Sequence, residues 1–193
     1  MEYIDNMIIT PTTQLNNSNL IAFSADCAEY ARANGEETKH RGTGDLEGTT
    51  ISVKRVRGLQ GNTLLVTVGN SDEVFMVCRL ISAPVPQGGF PWGRKIYVMD
   101  RIRVNNAYAG RGLAPMMYSW LSANGYTIMS DSHQNGNSLA VWHKLGARGG
   151  VLLVNIVDGT WRPYDPNKIE DWMVFGNGDM ARYWPIRLVL PQK

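Results

Sequence analysis

IRVNNAYAGRGLA, residues 102–114, is the stretch whose reading decides the fold. Ile102 and Val104 alternate with polar residues and close a strand. Gly110 and Gly112 then form a short turn, and Leu113, Met116, Met117, Trp120 and Leu121 open an apolar stripe at helical spacing. Pro115 falls in the first turn of that helix, where its missing N–H costs nothing. A helix N-terminus presents unpaired N–H groups and a positive dipole end. Glycines adopt φ > 0 and let a backbone approach a ligand closely. Strand, glycine turn and helix together make an anion cradle suited to a pyrophosphate. A dinucleotide fingerprint is excluded, because Pro115 holds its third glycine position. A P-loop is excluded too, because no Gly-Lys-Ser/Thr occurs.

Working outward, residues 95–104 form a strand on which Ile96, Val98, Ile102 and Val104 share one face, with Asp100 on that same face. A carboxylate in an apolar surround has a raised pKa, which makes Asp100 a candidate base. The alternative is a salt bridge to Arg101, Arg103 or another basic residue. Downstream come a helix over 113–123, a strand at 126–130, a helix over 137–145 that Gly146 ends, and a strand at 150–157. Upstream, the pattern predicts a strand at 7–10, a helix over 20–33 and a polar loop at 36–48. Strands follow at 51–56, 63–68 and 74–81, with turns at 58–61 and 69–72, then a long loop at 83–93. The tail carries Trp161, Trp172 and Trp184 and ends in an apolar run, 186–190. Antiparallel strands followed by strand–helix–strand–helix–strand make a mixed α/β domain with a central parallel pair.

Residues 102–114 resemble motif A of the GNAT acyl-CoA transferase superfamily, roughly L-x-V-x-P-x-x-R/Q-G-x-G-x-G/A. Ile102, Val104, Gly110, Gly112 and Ala114 match in register, while Asn106 replaces the proline and Ala109 the Arg or Gln. NGNSLAVWHKLG, residues 135–146, resembles motif B, N-x-x-A-x-x-L-Y-x-K-x-G. Asn135, Lys144 and Gly146 match; Ser138, Val141 and Trp142 stand for Ala, Leu and Tyr. The resemblance implies a GNAT-like α/β fold: a mixed, mostly antiparallel sheet with a central splayed parallel strand pair and flanking helices, residues 1–193 making a single domain. It also implies a cleft for acetyl-CoA or another short acyl-CoA. Backbone groups near Ile102 and Val104 would pair with the pantetheine arm. The turn through Ala109, Gly110, Arg111, Gly112, Leu113 and Ala114 would hold the pyrophosphate. Asn135, Ser138 and Trp142 would line the other wall.

The implied reaction is direct attack of an amine on the thioester. It needs a base, for which Asp100 stands first and Asp131 and His133 behind it. It also needs a donor to the oxyanion. Trp142 cannot be a general acid, since its indole N–H donates but does not titrate; packing against the acyl or pantetheine group is its expected role. The thiolate of CoA resembles that of Cys, with a pKa of about 8.5, and leaves without strong help.

Composition bounds the alternatives. The chain has 193 residues, a net charge of +2 and 44% hydrophobic residues, so it can build a core and carries no strong basic bias. Nucleic acid is therefore an unsupported partner, although a base-modifying enzyme on the same frame is the second reading and a non-catalytic interaction module the third. Cys27 and Cys78 lie in apolar segments and read as buried free thiols. No basic-then-apolar leader and no membrane-length apolar run occurs, so a cytoplasmic protein is expected. His40, His133 and His143, with Asp131, fit no zinc spacing, so no metal is expected. Lys54, Arg55 and Arg57 read as a solvated strand face, the tryptophans as core and lid, and His143 and Lys144 as surface. Residues 186–190 are the expected seam of a homodimer.

Overall fold

The computed structural model describes residues 35–38, 49–58, 61–70, 73–83, 96–131, 136–168 and 186–193. The expected strand at 7–10 and helix over 20–33 lie outside these residues, as do Cys27, His40, most of the 83–93 loop, His133, Asn135, Trp172 and Trp184.

Among the described residues the chain is an α/β protein. A nine-stranded mixed sheet carries two helices. Its strands are β1 (Gly35–Thr38), β2 (Thr50–Gly58), β3 (Gly61–Gly69), β4 (Val74–Ala83), β5 (Ile96–Val104), β6 (Thr127–Met129), β7 (Leu152–Asn155), β8 (Trp161–Pro163) and β9 (Ile186–Leu190). They lie in the order β1-β2-β3-β4-β5-β6-β9-β7-β8. All neighbours are antiparallel except β5 and β6, which run parallel. The helices are α1 (Leu113–Ala123) and α2 (Gly136–Ala147).

The period-two segments became the strands they predict, because each alternating residue has an apolar face to bury. Ile51, Val53, Leu64, Val66, Val68, Met76, Cys78 and Leu80 line one side of the sheet and are fully or almost fully buried. On that side α1 lays down Leu113, Met117, Tyr118 and Leu121, and α2 adds Trp142 and Leu145. Met117 and Leu121 are fully buried, worth about 1.5–3 kcal/mol each. The thiol of Cys78, a free cysteine, reaches Met117 Sδ at 3.2 Å and ties β4 to α1. A smaller cluster, Ile96, Met129, Leu152, Val154 and Val189, belongs to the opposite face.

Several expectations are corrected. Residues 36–38, expected in the loop at 36–48, pair with β2 as part of strand β1. Residues 186–190, expected at a dimer seam, form β9 between β6 and β7. Both of its edges are paired and Leu188 and Val189 have no exposed surface, so it offers no edge to a second chain. Arg55 is half-buried rather than on a solvated face, and hydrogen-bonds Tyr97, whose hydroxyl burial pushes up in pKa. Gly146 does not end its helix. The helix continues to Ala147, and the positive φ values fall at Gly149 and Gly150. Gly146 is instead a close-approach position: a Cβ there would lie 2.7 Å from the Tyr164 ring.

His143 is half-buried, edge-on to Tyr164 at 5.9 Å between centroids, where a surface residue was expected; Lys144 is exposed as expected. Burial pushes the His143 pKa down. The unfolded chain then holds its proton more tightly than the folded one. Stability is complete above the unfolded value of about 6.5 and falls as pH drops through the folded value. A His143→Gln variant is expected to flatten the acid limb of a Tm-against-pH curve between neutrality and pH 5. Gly146→Ala is expected to cost about 1–3 kcal/mol by overpacking against Tyr164, read by urea denaturation.

Candidate functional site

The site is the place where β5 and β6 part. Their parallel pairing covers Ile96↔Thr127, Tyr97↔Ile128 and Val98↔Met129 and goes no further, although β5 runs on to Val104. Each strand leaves with a different neighbour. Beyond Met129, Ser130 stays with β9: its N–H donates to Leu188 O at 2.8 Å, and its Oγ accepts from Leu188 N at 3.0 Å. β5 stays with β4, and its register there shifts by one residue: Leu80 opposes Met99, Arg79 opposes Arg101, and Asp100 has no cross-strand partner. A bulge of this kind bends its strand and increases the twist. Among the described residues, the β6-side edge of β5 has no strand beside it over the second half of its length.

The bulge also changes which side chains share a face. Before it, Tyr97 and Met99 join the core beneath α1, and Ile96 and Val98 the opposite cluster. After it, Ile102 and Val104 pack against the α1 side. The expectation that Ile96, Val98, Asp100, Ile102 and Val104 share one face is therefore corrected. One extra residue inverts the alternation midway. Asp100 is exposed, not set in an apolar surround. Its Oδ2 accepts from Arg79 Nε at 2.5 Å, and Arg101 Nε lies 3.9 Å away. That is the ion pair that stood as the alternative to a desolvated base.

Beyond β5 the chain makes a single 3₁₀ turn, Asn106–Tyr108, and then the glycine turn. Gly110 and Gly112 have φ of 79° and 80°, the left-handed region that favours glycine. Gly112 is the N-cap of α1 and has no side chain to cap it, and a Cβ built on either glycine would meet nothing within 4 Å. Met116 N–H is bonded to Gly112 O. Among the described residues no backbone acceptor takes the N–H groups of Gly110, Gly112, Leu113 or Ala114. Ala109, Gly110 and Arg111 are exposed, Leu113 and Ala114 buried. The Arg111 guanidinium lies over the Tyr108 ring at 5.1 Å. Open space, unpaired donors and a helix dipole coincide at one end of the parted strands, which is a place for an anion.

What holds this turn was not visible beforehand. Glu73, just before β4, accepts from Asn105 Nδ2 at 2.9 Å and from the Tyr108 hydroxyl at 2.7 Å. Asn105 Oδ1 accepts from Ala107 N, and Asn105 N donates to Phe75 O. Phe75 stacks on Tyr108 at 4.2 Å between ring centroids. The hydrogen bond to Glu73 raises the Tyr108 pKa above its ordinary value, with burial a smaller cause. An Asn at the end of a strand is a visible turn signal. The partner Glu73 lies 32 residues away and carries none.

The other predicted residues scatter more. Ser138 is half-buried in the first turn of α2. Trp142 is 1% exposed and packs on Tyr118 at 5.3 Å between centroids. Its ring belongs to the core between the two helices, not to the wall of the gap as expected. Burial raises the Tyr118 pKa strongly. Asp131, just past β6, is exposed and lies in the field of Arg187, whose pKa burial lowers against the opposing influence of that carboxylate. No group of His, Cys, Asp and Glu among the described residues could hold a metal ion, and no helix among them is long and apolar enough to cross a membrane.

No protein-family model, no curated protein and no solved structure matches this chain.

Glu73→Ala removes the acceptor shared by Asn105 and Tyr108. Amide hydrogen exchange across 106–112 is expected to accelerate, with little change in α1. Unchanged exchange would mean that Glu73 does not hold the turn.

Proposed function

We propose that the chain is a GNAT-like N-acyltransferase that moves an acetyl or other short acyl group from acyl-CoA to an amine. The observation that carries this reading is the juxtaposition of a β5 edge that no strand covers among the described residues with a glycine turn at the N-terminus of α1. An extended arm bearing amides could add to the free edge as a strand would. A pyrophosphate at its end would meet the N–H groups of Gly110, Gly112, Leu113 and Ala114. Motif A supplies that edge and that turn; motif B supplies α2.

In this reading the amine nitrogen attacks the thioester carbon, a C–N bond forms, the C–S bond breaks and CoA leaves as thiolate. The amine's proton goes to a base. Asp100 lies on β5 and is ion-paired with Arg79, and Asp131 lies just past β6 in the field of Arg187; either would take the proton, directly or through a water. A backbone N–H on the β6-side edge of β5, near Ile102, would donate to the developing oxyanion. Trp142 lies in the core and takes no part in proton transfer.

Titration calorimetry with acetyl-CoA tests the reading. Micromolar binding is expected for the wild type. Gly112→Trp, which fills the cradle and strains a left-handed position, is expected to weaken it at least about tenfold while keeping its circular dichroism spectrum. A wild type that binds no acyl-CoA would refute the proposal.

A further inference from the structure

The face of the gap away from α1 is lined with guanidinium groups. After the bulge, Ile102 and Val104 turn toward the α1 side, so Arg101 and Arg103 project from the other. On β4, Cys78 and Leu80 belong to the α1 side, so Arg79 also projects from the other. Arg79 opposes Arg101 across the strands, and Val77 opposes Arg103. Like charges directly opposite repel. Asp100 answers this pair, its Oδ2 2.5 Å from Arg79 Nε and 3.9 Å from Arg101 Nε. Arg103 forms no ion pair among the described residues; its Nη1 donates to the carbonyl of Ile102, at 3.0 Å. A guanidinium carries five donors, so most of those on Arg103 remain unspent. It is half-buried, and its pKa is lowered by burial and then by Arg101. A half-buried cation with a like-charged neighbour and no carboxylate is stabilised by an anion from outside. It stands on the strand edge that β6 leaves uncovered.

The acyl-transfer reading, on which this inference rests, sets the direction of approach. The α1 side is filled by the main core and both helices. A nucleophile aimed at a thioester lying in the gap must come from the opposite face, where it meets the arginines. We infer that Arg103 forms a carboxylate subsite and that the acceptor is an amine that also bears a carboxylate, as a free amino acid does. Arg103 determines specificity by holding the acceptor's carboxylate, with Arg101 adding positive potential beside it. The site suits a small anion better than a nucleic acid, because a half-buried guanidinium within a sheet does not reach a duplex backbone.

Two measurements test it. The first follows thiol release from acetyl-CoA with a panel of amino acids, each against its own α-amide. The acids are expected to exceed the amides in kcat/KM by about 10- to 100-fold. That ratio is expected to vanish in Arg103→Ala through KM, to survive in part in Arg103→Lys, and to leave acetyl-CoA affinity unchanged. The second needs no turnover: the side-chain Nε–H resonance of Arg103, assigned by its loss in Arg103→Lys, is expected to shift with N-acetylglycine and not with N-acetylglycinamide. No shift in a protein that binds acetyl-CoA would overturn the subsite alone. A shift with equal kcat/KM for acids and amides would overturn the acceptor assignment. A shift without any acetyl-CoA binding would end the acyl-transfer reading, and the acceptor assignment with it. DNA binding that weakens steeply with salt and is lost in Arg103→Ala would overturn it in favour of a nucleic acid.

Discussion

The ion pair between Arg79 and Asp100 sits at the point on which the geometry of the site depends. Asp100 is the extra residue of a bulge. A bulge leaves one residue without a cross-strand partner, and the strand accommodates this one because its side chain turns outward and is met by a cation from the neighbouring strand. With the bulge in place, β5 bends with β4 and the alternation of its side chains inverts, while β6 follows β9 through Ser130. The gap between the two is the sum of these departures. Surface ion pairs contribute little to stability, typically about 0–1 kcal/mol. This one matters for where it puts a strand edge, not for how much it stabilises.

The glycine turn depends on its neighbours in the same way. Left-handed φ at Gly110 and Gly112 is available to glycine at no steric cost, but freedom alone does not place a loop. Placement comes from Glu73, which receives both Asn105 and Tyr108, and from the stacking of Phe75 on Tyr108. The start of β4 thus braces the turn that follows β5. A cradle built from backbone N–H groups needs such bracing, since donors aimed within a few tenths of an ångström are worth more than donors that wander.

Residues with a local cause for their structure were legible in the sequence. The apolar stripe Leu113, Met117 and Leu121 with Pro115 in the first turn predicts α1 at the bounds it has, and the alternating valines and leucines predict β2, β3 and β4. The glycine turn was legible for the same reason, since glycine takes φ > 0 without strain and a G-x-G between a strand and a helix marks a tight turn there. Features that arise between distant segments were not. The bulge at Asp100 depends on how β5 pairs with β4, and a period-two reading carried past it places every following residue on the wrong face. Gly146 resembles a helix end until Tyr164 is seen against it. Trp142, in the position of a motif Tyr, turned inward because Tyr118 offers a ring and the two helices offer a core.

These dependences meet in the asymmetry of the sheet. The main core, both helices and the cradle lie toward one face, so the apolar contacts and the helix dipole are concentrated there. The bulge sends Ile102 and Val104 to that face and Arg101 and Arg103 to the other. A single inserted residue therefore separates the apolar wall of the gap from its cationic wall. Without it, the register would carry Arg101 and Arg103 into the core beneath α1, where two unpaired guanidinium groups would cost several kcal/mol each. The bulge is thus required by the order of residues in β5 as much as by any ligand. The first half of β5, Ile96 to Met99, is apolar on both faces and the second alternates basic and apolar residues, so Met99 and Ile102 reach the α1 side together only because the strand changes face at Asp100.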